Sequence, residues 1–156
     1  MKVSIASDHA GFRLKEAVLP SLESDGHEVI DLGANSEQPV DYPDYAMKIA
    51  TVILSGKVER DIFICGSGVG GCVAANKVPG VRAALCADAE TARRARLWNR
   101  ANVLCLSLRG TSEAMASEIL EVWFATAYRP NPEDDACLDQ VRRLEDDYRK
   151  TGPWTE

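Results

Sequence analysis

Five short apolar runs, set apart by stretches of helical periodicity, constrain this chain more than any other feature. They read KVSIAS (2–7), HEVIDLG (27–33), RDIFICG (60–66), VRAALCA (81–87) and NVLCLSL (102–108). Each is nearly continuous in apolar residues, the pattern of a strand covered on both faces rather than one with a wet side. Between and after them, apolar residues recur at helical spacing: Leu14, Val18 and Leu22; Tyr45, Ile49 and Val52; Met115, Ile119 and Val122; Leu138, Val141, Leu144 and Tyr148. Strands separated by helices return to the sheet through right-handed crossovers, so the pattern predicts five β-α units.

The expected fold is therefore a single-domain, doubly wound, Rossmann-like α/β architecture: a five-stranded parallel sheet with helices on both faces, binding its ligand at the carboxyl ends of the strands. At 156 residues one domain is the natural size, with residues 1–150 forming it and 151–156 a frayed tail. Pro20 falls inside the first helical pattern and predicts a kink or early end there. The stretch YRPNPEDDACLDQ (128–140), with two prolines and a run of acids, reads as a linker.

No apolar run approaches the ~20 residues of a membrane span, and the start of the chain shows no secretory segment, so a cytoplasmic protein is expected. A formal net charge of -6 argues against a nucleic-acid partner. Arg93, Arg94, Arg96 and Arg100 then read as a solvated helix face with at most one ligand-facing member. The five cysteines, Cys65, Cys72, Cys86, Cys105 and Cys137, show neither zinc spacing nor a disulfide framework, and no His, Cys, Asp and Glu cluster has the spacing of a metal site. Cys72, Cys86 and Cys105 fall within apolar patterns as small core residues.

Cys65 differs by its neighbours. It ends the third strand immediately before Gly66, Gly68 and Gly71, whose spacing matches a dinucleotide-binding turn. That turn should follow the first strand of its unit, with an acid ~20 residues on, a place Asp88 fills. Only two strands follow this turn, and no room remains for a second substrate domain. The other reading is an anion-cradling loop that opens a helix, whose field pulls a thiol from ~8.5 toward neutrality and makes Cys65 a base or nucleophile. Ser67 and the loop amides would steady an oxyanion there. Asp8 and His9, just after the first strand, either bind hydroxyls and shuttle protons or merely cap a helix and lie exposed. His27 reads as a surface residue.

Six motifs together resemble the type B ribose-5-phosphate isomerases and the related galactose-6-phosphate isomerase subunits: SDHAG (7–11), VIDLG (29–33), DYPDYA (41–46), ICGSGVG (64–70), AANKVPGVRAA (74–84) and NVLCLSLR (102–109). The resemblance covers about the first 125 residues. It implies an aldose-ketose isomerase that moves a proton between carbons 1 and 2 through an enediolate, with no metal or nicotinamide cofactor. Carried over, Cys65 resembles the base. Ser67 and the amides of Gly66, Gly68, Val69 and Gly70 resemble the enediolate stabilisers. Asp8, His9, Asn99 and Arg109 match substrate-contacting positions. A homodimer or dimer of dimers, with the site across the interface, is implied as well.

Two departures stand out. Where the family pattern has a ring-opening histidine, this chain has Trp98, in RLWNRAN, and an indole is no acid. Where phosphate-gripping arginines belong, it reads NPEDDACLD, with Arg129, Arg142 and Arg143 as the available substitutes. Both point to an altered sugar: a tetrose phosphate, which forms no furanose ring, or a sugar of different charge, with Trp98 as an apolar wall. The alternatives are a non-catalytic sugar-binding relative and a nucleotide-binding protein.

Overall fold

The computed structural model describes the backbone of residues 1–151 and the side chains of residues 1–147. Five strands, β1 (Lys2–Ser7), β2 (Glu28–Asp31), β3 (Arg60–Cys65), β4 (Ala83–Leu85) and β5 (Val103–Ser107), form one parallel sheet in the order β2-β1-β3-β5-β4. The helices are α1 (Phe12–Ser24), α2 (Tyr42–Leu54), α3 (Val69–Ala75), α4 (Ala89–Leu97), α5 (Glu113–Ala125) and α6 (Pro132–Thr151). The expected doubly wound sheet is the observed one.

Two cores follow from the strand pleat. Ile5, Ile62, Ile64, Leu104 and Leu106 face α1, α4 and α5, where they bury Leu14, Val18, Ile119 and Trp123. Ala6, Phe63, Val103 and Cys105 face α2 and α3 and pack on Ala46, Ile49 and Ala75. Near-continuous apolar strands are what such double coverage demands.

The register fixes the site. Ser7 of β1 lies beside Ile64 of β3, and Cys65 beside Ser107 of β5. The chain winds from β1 outward to β2 on one side and into β3 on the other, so the topological switch point falls between the ends of β1 and β3.

Three expectations change. The helix α1 runs through Pro20 to Ser24, because Pro20 sits on the exposed side, where water can meet the carbonyl that its missing N–H leaves free. Residues 132–140 are helical rather than linker: Pro132 suits a first helical turn, the acids of that turn favour the helix dipole, and only the segment before Pro132 is irregular. Arg96 is no part of a solvated face; it is 9% exposed, whereas Arg93 and Arg94 are exposed and pair with Glu90. The tail from Gly152 onward lies outside the described residues.

Candidate active site

Three loops meet at the carboxyl edge, held by backbone bonds and by the Ser107 hydroxyl. Asp8 N donates to Ile64 O (3.1 Å), Leu108 N to Cys65 O (3.0 Å) and Arg109 N to Gly66 O (3.2 Å). Ser107 Oγ adds a bond to Gly66 O (3.2 Å) and accepts one from Gly110 N (3.1 Å). The segments SDHAG, CGSGVGG and LRGTS therefore converge at the end of the sheet where a ligand is expected.

Gly68 makes the turn into α3 at φ 75°, a conformation that side chains rarely adopt. A Cβ there would also press on the Leu106 carbonyl at 3.2 Å. This geometry aims the amides of Ser67, Gly68 and Gly71 at the Cys65 thiol, and each favours a thiolate. Burial outweighs them. Cys65 is 4% exposed, and desolvation, with a smaller contribution from the Asp8 carboxylate, pushes its thiol above the ordinary value. The expected pull toward neutrality is thus corrected at Cys65; the lowered thiol is Cys72, brought to about 7 chiefly by a hydrogen bond with Cys105. Cys72 is half-buried rather than part of the core, while Cys86 and Cys105 are fully buried.

Around the thiol, Asp8 Oδ1 accepts from Gly11 N (2.8 Å), so it does cap the turn into α1. His9 is half-buried rather than exposed, its Nδ1 lying 3.1 Å from Val40 O and 3.2 Å from Val40 N. Lys15, wholly buried, pairs with Asp31 at 2.5 Å and anchors the start of the loop that carries Val40. Ser67 is exposed, and its Oγ accepts from Val69 N at 3.3 Å. Arg109 is exposed and pairs with no carboxylate among the described residues.

Tyr42 is the residue that sequence reasoning passed over. It opens α2, and its ring lies over Gly70, 3.1–3.3 Å from where a Cβ would stand. The motif DYPDYA was its only signal. Asp88, which the dinucleotide reading needed for a ribose, instead accepts from Thr91 N (2.7 Å) as the cap of α4. His27 is half-buried against Phe124, with ring centroids 4.3 Å apart.

Trp98 and Asn99 are not brought to Cys65 within one chain. Helix α4 runs antiparallel to the strands, so nine residues carry the chain about 13 Å back toward the amino edge, where both residues are exposed. There Asn99 faces α6, whose Glu145 accepts from Gly80 N at 3.0 and 3.1 Å, while the Arg94 guanidinium lies 5.3 Å from the centre of the Trp98 ring. Clefts between α6 and the segment 76–84 are lined by Arg82, Asn99, Arg100 and Arg142. Among the described residues no cluster of His, Cys, Asp and Glu could hold a metal, and no helix is long and apolar enough to cross a membrane.

A family model described as Ribose/Galactose Isomerase matches residues 3–141. The chain belongs to that family. It is 39% identical over 127 residues to ribose-5-phosphate isomerase B of Escherichia coli, covering 81% of this chain and 85% of that one. It is also 39% identical over 125 residues to the D-erythrulose-4-phosphate isomerase of Pectobacterium atrosepticum, covering 79% and 82%. The solved ribose-5-phosphate isomerase B of Clostridium thermocellum superposes with a TM-score of 0.92 at 38% identity, covering 95% of this chain and 99% of that one. In this ribose/galactose isomerase the chemistry is accordingly that of a sugar-phosphate isomerase.

Proposed function

We propose that the chain interconverts an aldose phosphate and its ketose by proton transfer through an enediolate, with Cys65 as the base. The observation that carries this reading is the Cys65 thiol at the end of β3, enclosed by the amides of Ser67, Gly68 and Gly71. As a thiolate, Cys65 takes the proton from carbon 2 of the aldose and returns it to carbon 1, while the proton of the carbon 2 hydroxyl passes to the carbon 1 oxygen, so that the carbonyl moves from carbon 1 to carbon 2. The amides and the Ser67 hydroxyl meet the oxyanion that forms between these steps, in a site where water is scarce and such dipoles count for more. Asp8 and His9 hold hydroxyls, and the free guanidinium of Arg109 draws the anionic sugar to the edge.

The second half of the site comes from another copy. Cys65 and Asn99 lie at opposite edges of one chain, and the edge around Cys65 exposes apolar Tyr42, Val69, Val73 and Leu85, a surface suited to cover by a protein partner. A homodimer, alone or paired again, places the Trp98–Asn99 tip of one copy at the thiol of the other, with Arg129, Arg142 or Arg143 reaching the phosphate from the same side. The enzyme works in the cytoplasm without a cofactor.

Its substrate is a sugar phosphate that needs no ring opening. A tetrose 4-phosphate has its terminal oxygen esterified and stays open-chain, so the loss of an acid at Trp98 costs nothing. The chain is as similar to an erythrulose-4-phosphate isomerase as to a ribose-5-phosphate isomerase B, at 39% identity each, so Trp98 is what supports this choice. Exchange of the carbon 2 proton into deuterated water, followed with erythrose 4-phosphate and ribose 5-phosphate, tests it. Faster exchange with the tetrose is expected, whereas turnover of ribose 5-phosphate at ~1 per second or more would refute the altered substrate.

A further inference from the structure

Arg60 and Arg96 are 7% and 9% exposed, and among the described residues neither pairs with a carboxylate. Their guanidinium carbons lie 6.0 Å and 5.4 Å from the centre of the Trp123 ring, which is wholly buried. Burying two cations without counterions is expensive unless their donors are used. Arg60 spends its donors at the end of α5, on Trp123 O, Phe124 O (3.2 Å) and Thr126 O (2.9 Å), where the helix dipole is negative.

Arg96 does something different. Its fork spans two segments: Nε donates to Thr126 O (3.4 Å), beyond α5, and Nη1 donates to Ala101 O. Ala101 closes the tip that begins at Trp98; it is buried, and its N donates to Ala95 O (3.0 Å). Between these residues the chain passes through Arg100 at φ 48°, the one non-glycine residue with positive φ among those described. Trp98, Asn99 and Arg100 therefore project from a base that Arg96 ties to the far end of α5, while Arg82 Nε holds the tip from the β4 side through Arg100 O (2.9 Å). A lysine has one charged nitrogen and no fork, and an apolar residue would fill the space without bonding either carbonyl.

We infer that Arg96 is a positioning residue for catalysis: it sets the direction in which the Trp98–Asn99 tip enters the partner copy's site. The inference rests on the proposed shared site. Charge burial alone would have been met by Arg60, which caps α5 without touching the tip. A misplacement of about 1 Å at a reacting group costs on the order of 100-fold, so the effect should be seen in turnover rather than in folding.

The test is kinetic, on the full-length protein, with erythrose 4-phosphate and ribose 5-phosphate as probes and four variants: Arg96→Met, Arg96→Lys, Asn99→Ala and Arg60→Lys. Arg96→Met is expected to lower kcat/KM about 10- to 100-fold with the oligomer intact. Arg96→Lys should lose nearly as much, and it serves alone if the methionine variant does not fold. Arg60→Lys should lower Tm yet stay within about twofold of the wild-type kcat/KM. The double variant Arg96→Met/Asn99→Ala, or its lysine equivalent, should lose clearly less than the product of the two single losses, because Asn99 is one of the groups that Arg96 positions. Losses that multiply in the double variant, or an equal kinetic loss in Arg60→Lys, would overturn the positioning role while leaving the shared site standing. An Asn99→Ala variant with full turnover would overturn the shared site itself, and the inference with it.

Discussion

The two edges of the sheet are built by different means. At the carboxyl edge, the ends of β1, β3 and β5 are knitted chiefly by main-chain bonds such as Leu108 N to Cys65 O. At the amino edge, long side chains set the geometry: Arg96 ties the tip to α5, and Asn102 bridges Arg82 N (2.7 Å) and Gly80 O (2.9 Å). Backbone amides give a fixed set of donors that any sequence compatible with the turn will supply. A tip held by a few side chains changes with each of them. In the proposed mechanism the proton transfer belongs to the backbone-built edge and the choice of sugar to the side-chain-built one.

The strongest way to break this comparison is at the thiol. Cys65→Ala should lower turnover by about 10²- to 10⁴-fold, the range a general base contributes, with the fold and oligomer unchanged because the site is small and buried. Retained turnover in a folded variant would move the chemistry away from the carboxyl edge. The next test joins the two edges. Cys65→Ala and Asn99→Ala proteins, each impaired alone, should regain about a quarter of wild-type activity after joint denaturation and refolding, since half the dimers are mixed and each has one intact site. No recovery, with mixed dimers present, would mean that both residues serve the same chain's site.

The carboxyl edge was largely legible in the sequence, and the amino edge was not. CGSGVGG directly after a strand announced a turn with inward amides, and DYPDYA marked the segment that puts Tyr42 over Gly70. The thiol's balance was out of reach, because desolvation depends on everything packed around Cys65, including the Asp8 carboxylate. That Trp98 and Asn99 lie at the far edge from Cys65 follows from the antiparallel run of α4, which no motif marks. Arg96 hid among three other arginines. Nothing in RRARLWNR distinguishes the one that reaches over Trp123 from those that meet Glu90 in solvent.

A smaller effect follows from the raised thiol. A base whose pKa lies above the ordinary thiol value is populated only as pH rises, so kcat/KM should climb through the alkaline range. Asp8 adds to the rise, and Asp8→Asn keeps an oxygen for Gly11 N while removing the charge. The acid limb of the profile should therefore move to lower pH in that variant. An unmoved limb would separate Asp8 from the thiol and leave burial as the whole cause.

The least expected effect on activity comes from the opposite end of the strands. Asp61, near the start of β3, is fully buried on the α2 and α3 face beside Ser4, and neither of its carboxyl oxygens has a hydrogen-bond partner. Desolvation raises its pKa from 3.8 to about 8, so the folded chain holds a proton there that the unfolded chain releases above the ordinary carboxylate range. The sign is then fixed: the stability contributed by this group is complete below pH ~4 and is lost as pH rises toward 8, with a slope of at most about 1.4 kcal/mol per unit. Asp61→Asn, a neutral isostere, removes that slope without touching either edge's chemistry. Urea unfolding of the two proteins from pH 5 to pH 8 should show the variant gaining on the wild type at each step, with kcat/KM unchanged. Parallel stability curves would mean that the carboxylate is ionised and solvated in the fold, and that the amino half of the sheet is wetter than its packing implies.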